Sequence, residues 1–206
     1  MKKNLILLGG GGHCKSVIDV AESAGYTILG ILDIPEEVGK PVLAYDVIGV
    51  DDDIPKYVDR AEFLITVGFI RNPSLRIKLY NKVVEAGGKL ATLVASTAYV
   101  SKYAKIGHGT VIMHKAFVNA GAVIGENVIV NTLANIEHDA RVGDQCHIST
   151  GAMVNGDCNI GDNCFLGSQS ILANGISICS NVIVSAGSFV RKSIFQPGIY
   201  FGNISI

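Results

Sequence analysis

Glu137-His138-Asp139 sets an imidazole between two carboxylates, a combination suited to moving protons. Imidazole titrates near neutrality, and an adjacent carboxylate orients the ring and favours the imidazolium formed when it takes a proton. The chemistry this trio suggests is general-base catalysis. A second cluster, Gly9-Gly10-Gly11-Gly12-His13, follows a short apolar run. Consecutive glycines between a strand and a helix start let backbone amides close on a phosphate. Asp33 lies about twenty residues on, where an acid can bond a ribose or a base. Gly68 ends the next predicted strand and is expected to line the same crevice. As a dinucleotide fingerprint the match is poor, because the third glycine position is Cys14 or Lys15. A mononucleotide diphosphate attached to a sugar fits better.

The elements that must position these residues divide the chain into two parts, expected at 1–90 and 91–206. In the first, Asn4 to Leu8, Tyr26 to Asp33 and Glu62 to Val67 read as strands. Val17, Val20 and Ala21 mark one helix, ended by Gly25. Asn72-Pro73-Ser74 opens another, with Leu75, Leu79 and Val83 spaced along one face. Strands alternating with helices predict a small α/β domain with a parallel, Rossmann-like sheet.

From Val94 a period of six takes over. Val94, Val100, Ile106, Ile112 and every sixth residue as far as Val190 are Val, Ile or Leu, seventeen positions without a slip. Four residues after each, the side chain is usually small, as at Ala98, Ala116, Ala140 and Cys164. Gly107, Gly125, Gly143 and Gly161 add a period of eighteen. Six residues make a face and three faces make a coil, the pattern of a triangular parallel β-helix built from hexapeptide repeats. In this register His138 points outward, with Ala120 one coil below and Gly156 one coil above. Small residues on both sides leave an open slot around the ring. Cys146, Cys158 and Cys164 fall at inward positions and read as core, so a covalent route through a cysteine nucleophile has little support. Glu126, Arg141 and Lys115 read as solvated charges.

Composition narrows the function classes. The chain is 49% hydrophobic and 17% charged with net charge −1, which excludes disorder and a basic nucleic-acid footprint. No run reaches 18 apolar residues, so no membrane span is expected. Leu5 to Leu8 runs straight into glycines, unlike a signal peptide. Five cysteines without a CxxC motif suit a reducing cytoplasm.

The strand–GGGGH–helix unit, Asn131-Thr-Leu-Ala-Asn-Ile-Glu-His138-Asp139, and His147-Ile-Ser-Thr-Gly-Ala-Met-Val-Asn-Gly156 together resemble the NeuD/PglD-type bacterial sugar acyltransferases. The resemblance covers essentially the whole chain and implies a left-handed β-helix. It implies an acetyl-CoA-dependent N-acetyltransferase acting on a UDP- or dTDP-linked 4-amino-4,6-dideoxy sugar, by direct attack of the amine on the thioester. His138 would be the base, Asp139 its partner, and the Gly156 N–H the oxyanion donor. The substrate would meet Gly10, Gly11, Gly12, His13, Asp33, Gly68 and Asn131. Acyl-CoA would meet His147, Gly167 and Ala186, between adjacent prisms of a homotrimer; no metal is implied. The family closes with a Gly-x-Pro-Ala-like tail, where this chain has Gly202-Asn203-Ile204-Ser205-Ile206.

Two other readings stay open. The same base could activate a hydroxyl in a sialic-acid-type O-acetyltransferase, or the chain could bind nucleotide sugars without catalysis. A γ-carbonic-anhydrase reading needs three histidines converging on zinc. His108, His114 and His138 are instead expected on three different faces.

Overall fold

The computed structural model describes residues 3–205, so Ile206 of the tail lies outside the described residues. Strand β1 (Asn4–Leu8) leads through the glycine run into helix α1 (Gly12–Ser23) and strand β2 (Thr27–Asp33). A short β3 (Pro41–Val42), β4 (Tyr45–Val50), β5 (Glu62–Ile65), helix α2 (Ser74–Glu85) and β6 (Lys89–Leu90) complete the first unit. The sheet order is β3-β4-β2-β1-β5-β6, parallel except between β3 and β4. β3 and β4 were not expected; too short or too half-buried, they carry no clear apolar run.

Helix α2 differs from its sequence reading in the face it buries. Leu75 is 52% exposed, while Arg76, Leu79 and Val83 are buried. The apolar face therefore runs 76, 79, 83, with a guanidinium where an aliphatic side chain was expected.

The first prism strand is Leu93–Val94, and two-residue strands then recur every six residues. Their pairing confirms the eighteen-residue coil, since Ile112, Val130, Ile148, Leu166 and Val184 stack in one parallel ladder. The inward residues form one apolar column with the small residues at its corners. Cys146, Cys158 and Cys164 lie in that core, and burial pushes the Cys146 thiol well above its usual value. After Val190 the six-residue spacing lapses, and the chain adds Gly198–Tyr200 and Asn203–Ile204 to two of the ladders.

The three prism faces meet different surroundings, as their outward residues show. The first presents Leu93, Val111, Ile129, His147 and Phe165, all buried, with α1 packed against its lower part. The third presents Lys105, Val123, Arg141, Asn159 and Ser177, a mostly polar surface. The second presents Tyr99, Phe117, Asn135, Met153, Ile171 and Phe189, and no other element among the described residues covers it. Tyr99 and Phe117 stack there, with ring centroids 5.0 Å apart.

Candidate active site

His138 follows the strand Asn135–Ile136 at the corner between the second and third faces. The turn is held from both neighbouring coils. The Asp139 N–H donates to the Ala120 carbonyl at 3.2 Å, and the Asp157 N–H donates to the His138 carbonyl at 3.0 Å. Asp139 takes a left-handed backbone, φ 61°, which brings its carboxylate round to the ring. Its Oδ2 lies 3.0 Å from His138 Nδ1. That hydrogen bond, helped by the nearby negative charges, raises the His138 pKa above its ordinary value. Nδ1 carries the proton towards Asp139, which leaves Nε2 as the lone-pair nitrogen.

Nε2 points at Gly156. A β-carbon on Gly156 would sit 2.6 Å from it and 2.7 Å from Cε1, so the slot exists because that residue has no side chain. Gly156 is buried, and its N–H donates to no other group among the described residues. A buried amide without an acceptor is costly unless a ligand supplies one. Glu137 makes no hydrogen bond to the ring and acts on it only through its charge. Its carboxylate accepts from the Asn119 and Asn135 amides at 2.6 and 3.1 Å, which keeps its pKa low. Of the two flanking acids, only Asp139 reaches His138.

The glycine run divides into two halves. Gly9 has φ 103°, and a β-carbon there would strike Val67. The Gly10 N–H donates to Asp33 Oδ2 at 2.6 Å, and the Ile34 N–H donates to Oδ1 at 2.7 Å. The Gly10 amide is therefore taken by Asp33, whose two oxygens each hold one amide of the loop. Gly11 and Gly12 face open space at a helix start that has no side-chain cap. Their amides are the ones left for an anion.

Behind that loop, His13, Gly68, Phe69, Ile70, Arg71, Asn131 and His147 line a cavity of about 680 Å³ between sheet domain and prism. An adjoining cavity of about 410 Å³ shares Ile70, Arg71 and His147 and continues past Gly167 and Ala186. His147 is 8% exposed and has both ring nitrogens engaged. Its Nδ1–H donates to the Phe69 carbonyl at 2.9 Å, and its Nε2 accepts from the Asn131 amide at 3.1 Å. Burial, with Arg76 close by, lowers its pKa to about 4. It is a neutral part of the wall of both cavities. His13 is likewise held neutral, its pKa lowered to about 3 chiefly by burial, and its Nε2 is buried without a partner.

The expected site residues thus form three groups. His138, Asp139 and Gly156 occupy one corner, Gly10, Gly11, Gly12 and Asp33 form the glycine loop, and His13, Gly68, Asn131, His147, Gly167 and Ala186 line the two cavities. Nine residues separate His138 from His147, half a coil, so one chain cannot bring them to one reacting atom. Sequence reasoning missed Phe69, Ile70, Arg71 and Arg76, which come from a loop and helix without periodicity. It also misread Glu126, which accepts a very short hydrogen bond from Tyr80 and so is not simply solvated. Among the described residues no group of three His, Cys, Asp or Glu is placed to hold a metal ion. His108, His114 and His138 follow strands of three different faces.

Residues 4–83 match the PglD N-terminal domain and 159–192 the hexapeptide repeat of succinyl-transferase. The acetyltransferase domain of PglB from Neisseria gonorrhoeae FA1090 is 30% identical, with 98% of this chain and 97% of that one covered and a TM-score of 0.89. The chain belongs to the PglD-type family of hexapeptide-repeat sugar acetyltransferases. Its prism has that family's left-handed coil. PerB from Caulobacter crescentus, solved with CoA and GDP-perosamine, is 29% identical over 97% of this chain and 94% of that one, with a TM-score of 0.89. WeeI from Acinetobacter baumannii AYE, 18% identical with a TM-score of 0.63 over 94% of this chain and 93% of that one, shares the fold. No curated protein matches. No described helix is long and apolar enough to cross a membrane.

Proposed function

We propose that the chain transfers an acetyl group from acetyl-CoA to the amine of a nucleotide-linked 4-amino-4,6-dideoxy sugar. The observation that carries this reading is the corner where His138 Nε2 lies against Gly156, whose N–H has no acceptor among the described residues. A base and an oxyanion donor side by side are what amine attack on a thioester needs. Nε2 takes the proton of the attacking amine, Asp139 stabilises the resulting imidazolium, and the Gly156 N–H receives the oxygen that gains charge. Collapse of the tetrahedral intermediate breaks the C–S bond, and the imidazolium returns the proton to the departing CoA sulfur. Gly11 and Gly12 would receive the diphosphate, and His13, Gly68 and Asn131 the rest of the acceptor. PerB, solved with CoA and GDP-perosamine, supports this substrate class. The nucleotide is tested by assaying CoA release with UDP-, dTDP- and GDP-linked 4-amino sugars. Release with one of them is expected; no release with any of them would overturn the reading.

The uncovered second face supports a homotrimer whose sites lie between prisms. A column of Tyr99, Phe117, Met153, Ile171 and Phe189 is a costly surface to leave in water, and Asn135 in that column adjoins His138. A neighbouring prism there would set its own cavities opposite the base. Light scattering at micromolar concentration is expected to give three chains, and Phe117→Glu to give monomers without activity. A wild-type monomer with full turnover would sink the shared site.

The raised His138 pKa sets the pH dependence. Below it the ring is imidazolium and cannot accept a proton, so kcat/KM falls as pH falls through a value above that of an ordinary imidazole. Asp139→Asn removes the largest cause of the shift and is expected to move that inflection down. An inflection unmoved by the substitution would assign it to another group, such as the sugar amine.

A further inference from the structure

We propose that Arg76 is a positioning residue, a buried strut that holds the sheet-domain and prism halves of the cavity in register by way of Phe69 and His147. The proposal rests on the acetyltransferase reading for its kinetic consequence, but not for its structural one. Arg76 is 1% exposed, on the inner face of α2. One guanidinium nitrogen donates to the Ile65 and Val67 carbonyls at 2.9 and 2.6 Å, at the end of β5. The other donates to the Asn127 carbonyl at 3.1 Å and to its side-chain oxygen, on a prism corner. Asn127 has a left-handed φ of 51° and is tied in turn to Gln145, whose Oε1 accepts from its amide at 2.6 Å. A single side chain therefore pins the last turn of β5 to two successive coils.

The chain leaves that pinned point as Val67-Gly68-Phe69. The next carbonyl to bear on the prism is that of Phe69, and it receives the His147 Nδ1–H. This bond fixes which nitrogen of His147 is protonated and so makes Nε2 the acceptor for Asn131. Arg76, Phe69, His147 and Asn131 form a continuous series from the sheet domain to the cavity wall. Apolar packing already joins the two parts, because α1 lies on Leu93, Val111 and Ile129. A fully buried charge is a costly way to add adhesion, whereas a planar fork with four acceptors fixes distance and angle. Its charge also opposes protonation of His13 and His147, which suits a cavity whose wall stays neutral.

The test uses the full chain with Arg76→Lys, which keeps the charge without the fork. Asn127→Gly, which suits the left-handed backbone and removes only the carboxamide, serves where the lysine variant fails to fold. Ring-nitrogen NMR reads the His147 tautomer, and steady-state kinetics read kcat and KM separately. Wild type is expected to show Nδ1-protonated neutral His147, and the variants a mixture of tautomers. Their kcat should fall by about tenfold or more with KM changed far less, as a small misplacement predicts. A lowered Tm with tautomer and kcat unchanged would overturn the proposal and leave Arg76 a stabilising residue only. If wild type transfers no acetyl group, the functional reading fails, and the tautomer measurement alone decides the strut.

Discussion

Replacing His138 with alanine is expected to lower kcat by about 10²–10⁴, the usual contribution of a general base, while acetyl-CoA and the acceptor still bind. The size follows from the geometry. Nδ1 is held by Asp139 and Nε2 is turned towards Gly156, so the ring presents its lone pair at the slot. The side chain is 60% exposed and makes no hydrogen bond besides the one to Asp139, so the fold should tolerate its loss. The effect should therefore appear in kcat, with thermal unfolding and the mass in solution close to wild type. Asp139→Asn should fall short of it, because the ring remains and only its orientation and basicity suffer. Turnover in His138→Ala equal to wild type would remove His138 from the chemistry and return the corner to an ordinary exposed turn.

The residues that define this corner were legible in the sequence because the prism is periodic. Once Ile136 is placed inward, arithmetic puts His138 outward and Gly156 above it, and the structure adds only the distances. The second face was legible by the same arithmetic, though it went unread. Tyr99, Phe117, Met153, Ile171 and Phe189 each precede an inward residue, at multiples of eighteen. The third face, with Lys105, Arg141 and Asn159 at the same position, supplies the contrast. What had no local signal was the seam between the two parts. His147 looked free because its partner is the Phe69 carbonyl, 78 residues away in another domain. For Asp33, sequence spacing carries no sign that its carboxylate also closes its own loop. Arg76 was passed over since a charged residue is not counted on a buried helix face; only the spacing 76, 79, 83 pointed to it.

Gly156→Ala separates the slot from the donor. The substitution keeps the backbone N–H, and the glycine does not lie at positive φ, so alanine is not strained there by its backbone. What it adds is a β-carbon 2.6 Å from Nε2 and 2.7 Å from Cε1, well inside contact distance. The prism backbone is fixed by hydrogen bonds to the coils above and below, so the imidazole must give way. It can do so only by swinging outward, which breaks the bond to Asp139 and turns Nε2 off the line to the amine. A displacement of that order is expected to lower kcat by about 10²-fold with the fold retained. The decisive form of the experiment is the double variant. In a His138→Ala background there is no ring to displace, so adding Gly156→Ala should cost little further rate. A large second loss there would mean that the alanine harms the oxyanion donor or the substrate directly. The space above the imidazole would then not be what glycine provides at this position.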